Sequence, residues 1–295
     1  MPKTRVSRSR LGLAPVTLLC CVGALLYVAA FVLYPYGHVT VFSFWEKDLY
    51  SIRPAFILDN YQRISERPLY LRVVMNSLQV AAMVTVVSAV LGYVMAWFLA
   101  HHSGRWKNLF FILLIVPLWT SFLLRAYVWK IILGRNGIIS AILGNFGVVP
   151  EDLGFLLYSD LSIVIALVYI FVPFIAIPVY AALEKIPVSL TEASADLGAS
   201  AAKTFFHVVF PLTVPGLLAG ATIVFCLSFG DFITPSLLGG SENIMIANVI
   251  ISQFGAAFDW PFGSALAVVV LITVLVVVSS TDWMGRKIAG GRDAL

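Results

Sequence analysis

Charged side chains are scarce in this 295-residue chain, and their scarcity excludes a water-soluble fold. Asp, Glu, Lys and Arg together make up 12% of the residues, while apolar side chains make up 60%. Soluble domains contain about a quarter charged residues. A helix of roughly 20 apolar residues crosses the hydrocarbon core of a membrane. The long charge-free runs therefore predict a chain built mainly within a bilayer.

The residue types that carry metal and redox chemistry are also few. Cys20, Cys21 and Cys226 lie in apolar runs without the spacing of a zinc site or a disulfide framework. The phosphate-binding pattern G-x-x-x-x-G-K-[ST] is absent. We therefore expect no catalytic residues, no metal site and no cofactor on this chain. The modest net charge of +4 lies near the chain ends, which argues against a nucleic-acid partner.

Six apolar runs without period-2 alternation predict transmembrane helices. The first run is charge-free from Leu11 to Trp45, too long for a signal peptide, and is interpreted as an uncleaved span. The sequence thus predicts an all-α integral membrane protein with a basic N-terminus (1–10), one membrane domain (11–285) and a short tail (286–295). The predicted spans are 11–34, 73–100, 109–133, 161–183, 212–233 and 263–280.

The distribution of Lys and Arg predicts the orientation. Most of these residues fall at the two chain ends and in the loops after the second and fourth spans. Positive residues are retained in the cytoplasm, so both termini are expected to be cytoplasmic. The short loops on the opposite side are acidic, with Glu151, Asp152, Glu242 and Asp259. Attraction of a cation and simple exclusion of positive charge from exported loops explain them equally well.

The cytoplasmic loop 184–211 is long enough to fold by itself. Pro187 ends the preceding helix, Ser189 or Thr191 can cap a new one, and Gly198 supplies a break before a second short helix from Ala199 to about Val209. A pair of short helices joined by a turn could dock in a cleft of a soluble partner. An amphipathic helix that lies on the lipid surface is the alternative.

The loop resembles the EAA loop of ABC importer permeases, whose pattern is E-A-A-x3-G-x9-I-x-L-P. This chain has Glu192-Ala193-Ser194, three residues, Gly198, nine residues and then Val208-Val209-Phe210-Pro211. The spacing is the same throughout. Ser194, Val208 and Phe210 replace the second alanine, the isoleucine and the leucine.

The resemblance implies a type I importer permease of MetI-like architecture in a bacterial inner membrane. The loop would be the coupling helix that docks on two ATPase subunits, which use ATP and Mg. A second permease subunit would complete the pathway, either as a second copy of this chain or as a paralogue, and the resemblance favours the paralogue. A periplasmic solute-binding protein would deliver the solute. The residues implied in coupling are Glu192, Ala193, Ser194, Asp196, Gly198 and Pro211.

Further segments are similar to permeases of the spermidine/putrescine type. They are LDNY from Leu58, IVPLWTSFLLRAYVWKIIL from Ile115, GDFITPSLLGG from Gly230 and DWPFGSA from Asp259. The resemblance implies polyamine import. Relatives with this pattern carry other solutes, and an opine, an aminophosphonate, thiamine or ferric iron is the alternative cargo.

Five residues near the outer side are candidates for the substrate pathway. Arg125 lies within the third predicted span, where a charge is unfavourable, unless it reaches outward to water. Asp231 could meet an ammonium group, or pair with Arg125. Trp119, Tyr127 and Trp129 offer ring faces to a cation, or form an interfacial belt.

Two other classes of membrane protein fit less well. An ion-coupled secondary transporter normally has midplane carboxylates and two broken helices from an inverted repeat, and neither is apparent. A membrane enzyme needs a cluster such as His with Asp or Glu, whereas the four histidines are scattered at span ends.

Overall fold

A computed structural model describes residues 13–48, 51–134, 137–144 and 157–290. The regular elements of these residues are helices, apart from one hairpin of two-residue strands. The basic N-terminus 1–10 and the end of the tail lie outside them. The helices are α1 Leu13–Val28, α2 Tyr34–Phe42, α3 Asp59–Glu66, α4 Pro68–His101, α5 Lys107–Ile115, α6 Phe122–Leu133, α7 Ile138–Gly144, α8 Asp160–Leu183, α9 Val188–Asp196, α10 Ala201–Thr204, α11 Phe210–Phe229, α12 Ile233–Leu238, α13 Ile246–Phe254 and α14 Trp260–Gly290, and the strands are β1 Glu46–Lys47 and β2 Ile52–Arg53.

Within the described residues, six helical stretches are long and apolar enough to cross a membrane, which confirms the predicted number. Most extend beyond the predicted apolar runs, and the third starts 13 residues later than the predicted span 109–133. The stretches are Leu18–Phe42, Pro68–His101, Phe122–Gly144, Asp160–Leu183, Ala201–Phe229 and Trp260–Lys287.

The third predicted span, 109–133, is not one continuous helix. Helix α5 ends at Ile115, a 3₁₀ turn covers Val116–Trp119, and Thr120 is extended with a ψ of 153°. Pro117 contributes to the break because it has no N–H to donate to the preceding turn. A proline in an apolar run predicts a kink, but hydropathy alone does not distinguish a kinked span from the complete break seen here.

Helix α8 forms the centre of the fold, because 72% of the residues in its most apolar 18-residue stretch are buried. It packs against α4 and α11, and glycines allow the close approach. A Cβ added at Gly220 would lie 2.8 Å from the Cα of Ile175, and one at Gly216 would lie 2.8 Å from the carbonyl oxygen of Pro178. Gly92 of α4 faces Ile175 from the other side, where a Cβ would come within 3.0 Å. Gly216 and Gly220 are four residues apart, and small residues at this spacing are typical of helix interfaces in membranes.

The first span has few partners within the described chain. None of the residues in its most apolar 18-residue stretch is buried, and large side chains such as Leu19 and Phe31 are about 70% exposed. Only its final part, α2, packs on α14. The first span therefore presents an apolar surface to lipid or to another chain.

Candidate functional site

Helix α9 forms the first half of the loop 184–211. It starts directly after Pro187, whose backbone is extended, and no side chain caps its first turn. The predicted cap by Ser189 or Thr191 is therefore wrong. The hydroxyl of Thr191 instead donates to the carbonyl of Val188 at 2.7 Å, inside the helix.

The helix ends at Gly198, as the sequence predicted. Gly198 has a φ of +78°, a left-handed conformation that favours glycine. Its N–H donates to the carbonyl of Ala195 at 2.8 Å, and the N–H of Ala199 donates to the carbonyl of Ser194 at 3.1 Å. These two bonds form a Schellman motif, which stops a helix and reverses the chain. Gly198 thus sets a fixed angle between α9 and the segment that follows.

The second half of the loop is not a separate short helix. Ser200 caps α10, and a π-helical turn over Phe205–Val209 leads without interruption into α11. Pro211 was predicted to mark the junction with the fifth span, but it lies in the first turn of α11 within one continuous helix. The wider turn lies directly before Pro211, whose ring would clash with the carbonyl one turn earlier in a regular α-helix.

The loop presents one exposed surface. Glu192 and Asp196 are both exposed and lie four residues apart, so their carboxylates share a face of α9. Apolar side chains flank them, and Val188 and Leu197 are 70% and 88% exposed. Ala193 is also exposed. An apolar surface with two fixed negative charges is suited to docking a protein with a complementary basic cleft.

Ser194 belongs to the opposite side of α9. Its hydroxyl oxygen lies 2.9 Å from that of Thr204, on the helix that enters the fifth span. The loop is also tied to the start of α5, because Lys107 donates to Glu184 at 2.8 Å. The hydrogen bond to Glu184 raises the pKa of Lys107 above its usual value. No local pattern indicates this pair, because its members are 77 residues apart in the chain.

Asp231 lies at the outer end of the fifth span and is 7% exposed. Its carboxylate accepts hydrogen bonds from the backbone N–H groups of Ile233 at 3.0 Å and Thr234 at 3.1 Å, so it caps α12. Among the described residues no ion pair joins it to Arg125, and the predicted pairing is wrong. Arg125 instead approaches the carbonyl of Ile170 at 3.5 Å.

The candidate aromatic residues have different environments. Trp119 is 80% exposed in the 3₁₀ turn, and Tyr127 is half exposed on α6. Trp129 packs edge-on against Tyr169, with 5.5 Å between the ring centroids. Helix α6 packs on α12, the helix that Asp231 caps. The fold therefore brings the Asp231 cap near the α6 residues. The ring of Trp119 is exposed, whereas the Lys130 ammonium lies 5.9 Å from the centroid of the Tyr127 ring.

Asp259 is not an open acidic site at the outer mouth. Arg63 of α3 donates to it at 2.7 Å and lies 3.9 Å above the ring of Phe262. Burial lowers the pKa of Arg63, but the hydrogen bond and charge of Asp259 outweigh it, and the pKa is raised overall. Lys47 donates to the carbonyl of Ala257 at 2.7 Å beside this pair. The long outer loop is thus fastened to the start of the sixth span.

An outer pocket of about 480 Å³ lies between α12 and α13, and sequence reasoning did not anticipate it. Ser236, Asn248 and Ser252 contribute its polar lining. Asn248 donates to Ser236 at 2.7 Å and to the carbonyl of Phe232 at 2.9 Å. These bonds connect α13 to α12 and give this side of the outer mouth a polar surface.

Comparison with known proteins identifies the family. Residues 88–290 match the family described as the inner membrane component of binding-protein-dependent transport systems. The chain belongs to this family. It is therefore a multi-pass permease of the inner membrane and a transport subunit rather than an enzyme, and the predicted resemblance to importer permeases is confirmed.

Two relatives of this permease cover most of its length. It is 39% identical to the spermidine/putrescine transport system permease protein PotB of Escherichia coli (strain K12), over 89% of this chain and 96% of that protein. It is 29% identical to the putative ferric transport system permease protein FbpB 1 of Haemophilus influenzae (strain ATCC 51907 / DSM 11121 / KW20 / Rd), over 92% of this chain and 41% of that protein.

Two solved structures share the permease fold. A chain of a bacterial alginate ABC transporter, in complex with its pentasaccharide-bound periplasmic protein, superimposes with a TM-score of 0.72 at 15% identity, over 92% of this chain and 94% of that one. A chain of the inward-facing MetNI methionine ABC transporter gives a TM-score of 0.57 at 20% identity, over 74% and 95%. At such identities the likeness establishes the fold alone.

Proposed function

We propose that this permease forms part of the translocation pathway of an ATP-driven polyamine importer, with its loop 184–211 docked on an ATPase subunit. The observation that carries the proposal is the shape of that loop. A Schellman turn at Gly198 holds α9 at a fixed angle to the helix that enters the fifth span. A rigid connection of this kind transmits movement from a docked partner into the membrane.

The docking surface supports an ATPase partner. Glu192 and Asp196 supply the charges that would fix the position of α9 on the ATPase. Val188 and Leu197 supply exposed apolar area. ATP and Mg belong to the ATPase. The loop is proposed to face the cytoplasm together with both chain termini, in the type I arrangement.

A second permease chain is expected to complete the pathway. An apolar groove of about 1010 Å³ runs between α4, α5 and α8, with Trp129 and Tyr169 at one side. Such a groove within the membrane suits a helix of another permease, and a paralogue is proposed. A periplasmic binding protein would deliver the solute at the outer mouth.

Polyamines are the proposed cargo because the relatives similar over nearly the whole chain include a spermidine/putrescine permease. The exposed ring of Trp119 is compatible with an ammonium group, and the chain's own Lys130 already places one 5.9 Å from the ring centroid of Tyr127. Asp231, Arg125 and Trp129 stay candidates for the pathway, although Asp231 also has a structural role as a cap.

Reconstitution tests the proposal. The complete transporter, with its ATPase, second permease and binding protein, is placed in proteoliposomes and given radiolabelled spermidine or putrescine. Uptake that needs both ATP and the binding protein is expected. Uptake without ATP hydrolysis would overturn the coupling role, and ATP-driven uptake of another solute with no polyamine uptake would overturn the cargo.

Topology is tested separately by labelling. Glu192→Cys is expected to react with a membrane-impermeant maleimide from the cytoplasmic side only. Phe56→Cys, on the outer loop and 89% exposed, is the matched control that reacts from the periplasmic side. Reaction of the Cys at position 192 from the periplasm would contradict the docking proposal.

Ferric iron is the second candidate cargo, because a putative ferric permease is similar over 92% of this chain. The same reconstituted complex separates the two candidates when iron replaces the polyamine. Polyamines stay the better-supported cargo, because the identity to the spermidine/putrescine permease is 39%, against 29% to the putative ferric permease.

A further inference from the structure

Phe205 lies at the centre of an aromatic cluster where the cytoplasmic loop meets the second span. Its ring meets those of Trp97 and Tyr93 edge-on, with centroid distances of 5.2 and 5.9 Å. Phe206 and Phe210 lie 5.0 and 6.0 Å from it on its own helix. Phe205 is thus the loop residue whose ring contacts both Trp97 and Tyr93 of α4, while Phe210 also contacts Tyr93, at 5.8 Å.

The cluster is continuous with the loop surface that faces the partner. Thr204, the residue before Phe205, is joined to Ser194 of α9 by the 2.9 Å hydroxyl contact. The Schellman turn at Gly198 fixes the chain between them. A displacement of α9 is therefore carried to Thr204 and Phe205 rather than absorbed in a flexible connection.

The receiving side of the cluster is rigid as well. The hydroxyl of Tyr93 lies 2.9 Å from that of Thr213, which is fully buried in α11. Trp97 stacks on His101 with 4.1 Å between the ring centroids. Since these rings are held in place, a movement of Phe205 shifts the inner end of α4 instead of turning a side chain.

The π-helical turn decides which way Phe205 points. Phe205 is the first residue of this turn, and its carbonyl accepts from the N–H of Phe210. One extra residue in a turn rotates the upstream helix by about 100° relative to a regular α-helix. Without the wide turn that precedes Pro211, the ring of Phe205 would not be directed at Trp97 and Tyr93.

We propose that Phe205 is a positioning residue that passes movement of the loop to the second span, by pressing its ring between Trp97 and Tyr93. The inference rests on the proposed docking of the loop on an ATPase. It adds a second route into the membrane domain, beside the direct continuation of the loop into the fifth span. The coupling between ATP hydrolysis and transport therefore depends in part on the edge contacts of this ring.

The test uses the complete reconstituted transporter and measures solute transported per ATP hydrolysed. Phe205→Leu keeps an apolar side chain but loses the ring edges. It is expected to assemble and to retain basal ATP hydrolysis, while transport per ATP falls roughly threefold to tenfold, the effect of one or two aromatic contacts. Phe205→Tyr keeps the ring and is expected to stay coupled.

Phe98→Leu is the matched control. Phe98 lies on α4 next to Trp97, and its ring meets Phe110 edge-on at 5.3 Å, away from the loop. This variant is expected to stay within about twofold of the wild type in transport per ATP. An equal loss of coupling in Phe98→Leu and Phe205→Leu would overturn the proposal.

A double variant identifies the route. If Phe205 acts through Trp97, then Trp97→Leu with Phe205→Leu is no worse than the more severe single variant, whereas independent effects multiply. If Phe205→Leu does not assemble, Trp97→Leu is measured alone, with the same uncoupling expected. Normal coupling in either single variant overturns the inference but leaves the proposed function intact, whereas a wild-type complex without ATP-driven uptake refutes the proposed function itself.

Discussion

The hydroxyl oxygens of Ser194 and Thr204 lie 2.9 Å apart, across the turn at Gly198. Ser194 occupies the position of the second alanine in the EAA pattern of importer permeases. An alanine there offers a small surface but no hydrogen bond. This permease has therefore added a polar link between α9 and the helix that enters the fifth span, on the side of α9 away from the exposed carboxylates.

Ser194→Ala is expected to loosen α9 without abolishing transport, since alanine occurs at this position in the family pattern. Loss of one hydroxyl contact lowers local stability by about 1 kcal/mol. Hydrogen–deuterium exchange over 188–204 is expected to accelerate. Thr204→Ala is the reciprocal variant, and strictly additive effects of the two changes on exchange would argue against a direct bond.

Gly198 is expected to tolerate Asn better than Val. A Cβ at this position meets nothing within 4 Å in the chain, so the positive φ, not crowding, is the constraint. Asn adopts left-handed backbone more readily than a β-branched residue, for which the strain is about 1–2 kcal/mol or more. Gly198→Val is expected to insert normally but to transport less per ATP than Gly198→Asn. Equal transport per ATP in the two variants would show that the geometry of the turn at Gly198 does not affect coupling.

Gly220→Ala is expected to destabilise the membrane domain. The added Cβ would lie 2.8 Å from the Cα of Ile175, and the resulting overpacking costs about 1–3 kcal/mol. Gly285→Ala provides the control, because its nearest neighbour, Leu218, would be 3.7 Å away. There alanine is expected to be neutral or slightly stabilising, since glycine disfavours a helix interior. Thermal unfolding in detergent distinguishes the two, and a Gly220→Ala protein as stable as the control would contradict the close packing of α8 and α11.

Asp231→Asn and Asp231→Ala distinguish two roles of Asp231, a charge in the substrate pathway and a cap of α12. Asn still offers one oxygen to the N–H groups of Ile233 and Thr234, whereas Ala offers none. If the charge acts on a cationic solute, both variants depress uptake while the complex still assembles. If Asp231 only caps α12, Ala depresses uptake and Asn leaves it close to the wild-type rate. The readout is initial uptake rate, with assembly checked by co-purification.

Hydropathy and motif spacing were sufficient for the coarse architecture. Six apolar runs predicted six spans, because a helix in lipid must satisfy its own backbone and so needs a minimum apolar length. The pattern around Glu192 and Gly198 predicted the family, and the left-handed backbone at Gly198 explains why a glycine stands there. Both inferences depend on local chemistry, which a sequence records directly.

The interruption at Pro117, the cap formed by Asp231 and the contacts of Phe205 were decided only by the tertiary structure. A break between two apolar helices leaves the hydropathy unchanged, and a carboxylate looks the same in sequence whether it caps a helix or faces a pathway. Phe205 meets Trp97 more than a hundred residues away, through a turn whose width is set by Pro211. The sequence determined which segments enter the membrane, because that depends on each segment's own free energy of transfer. The packing of helices distant in the chain decided which side chains can act together.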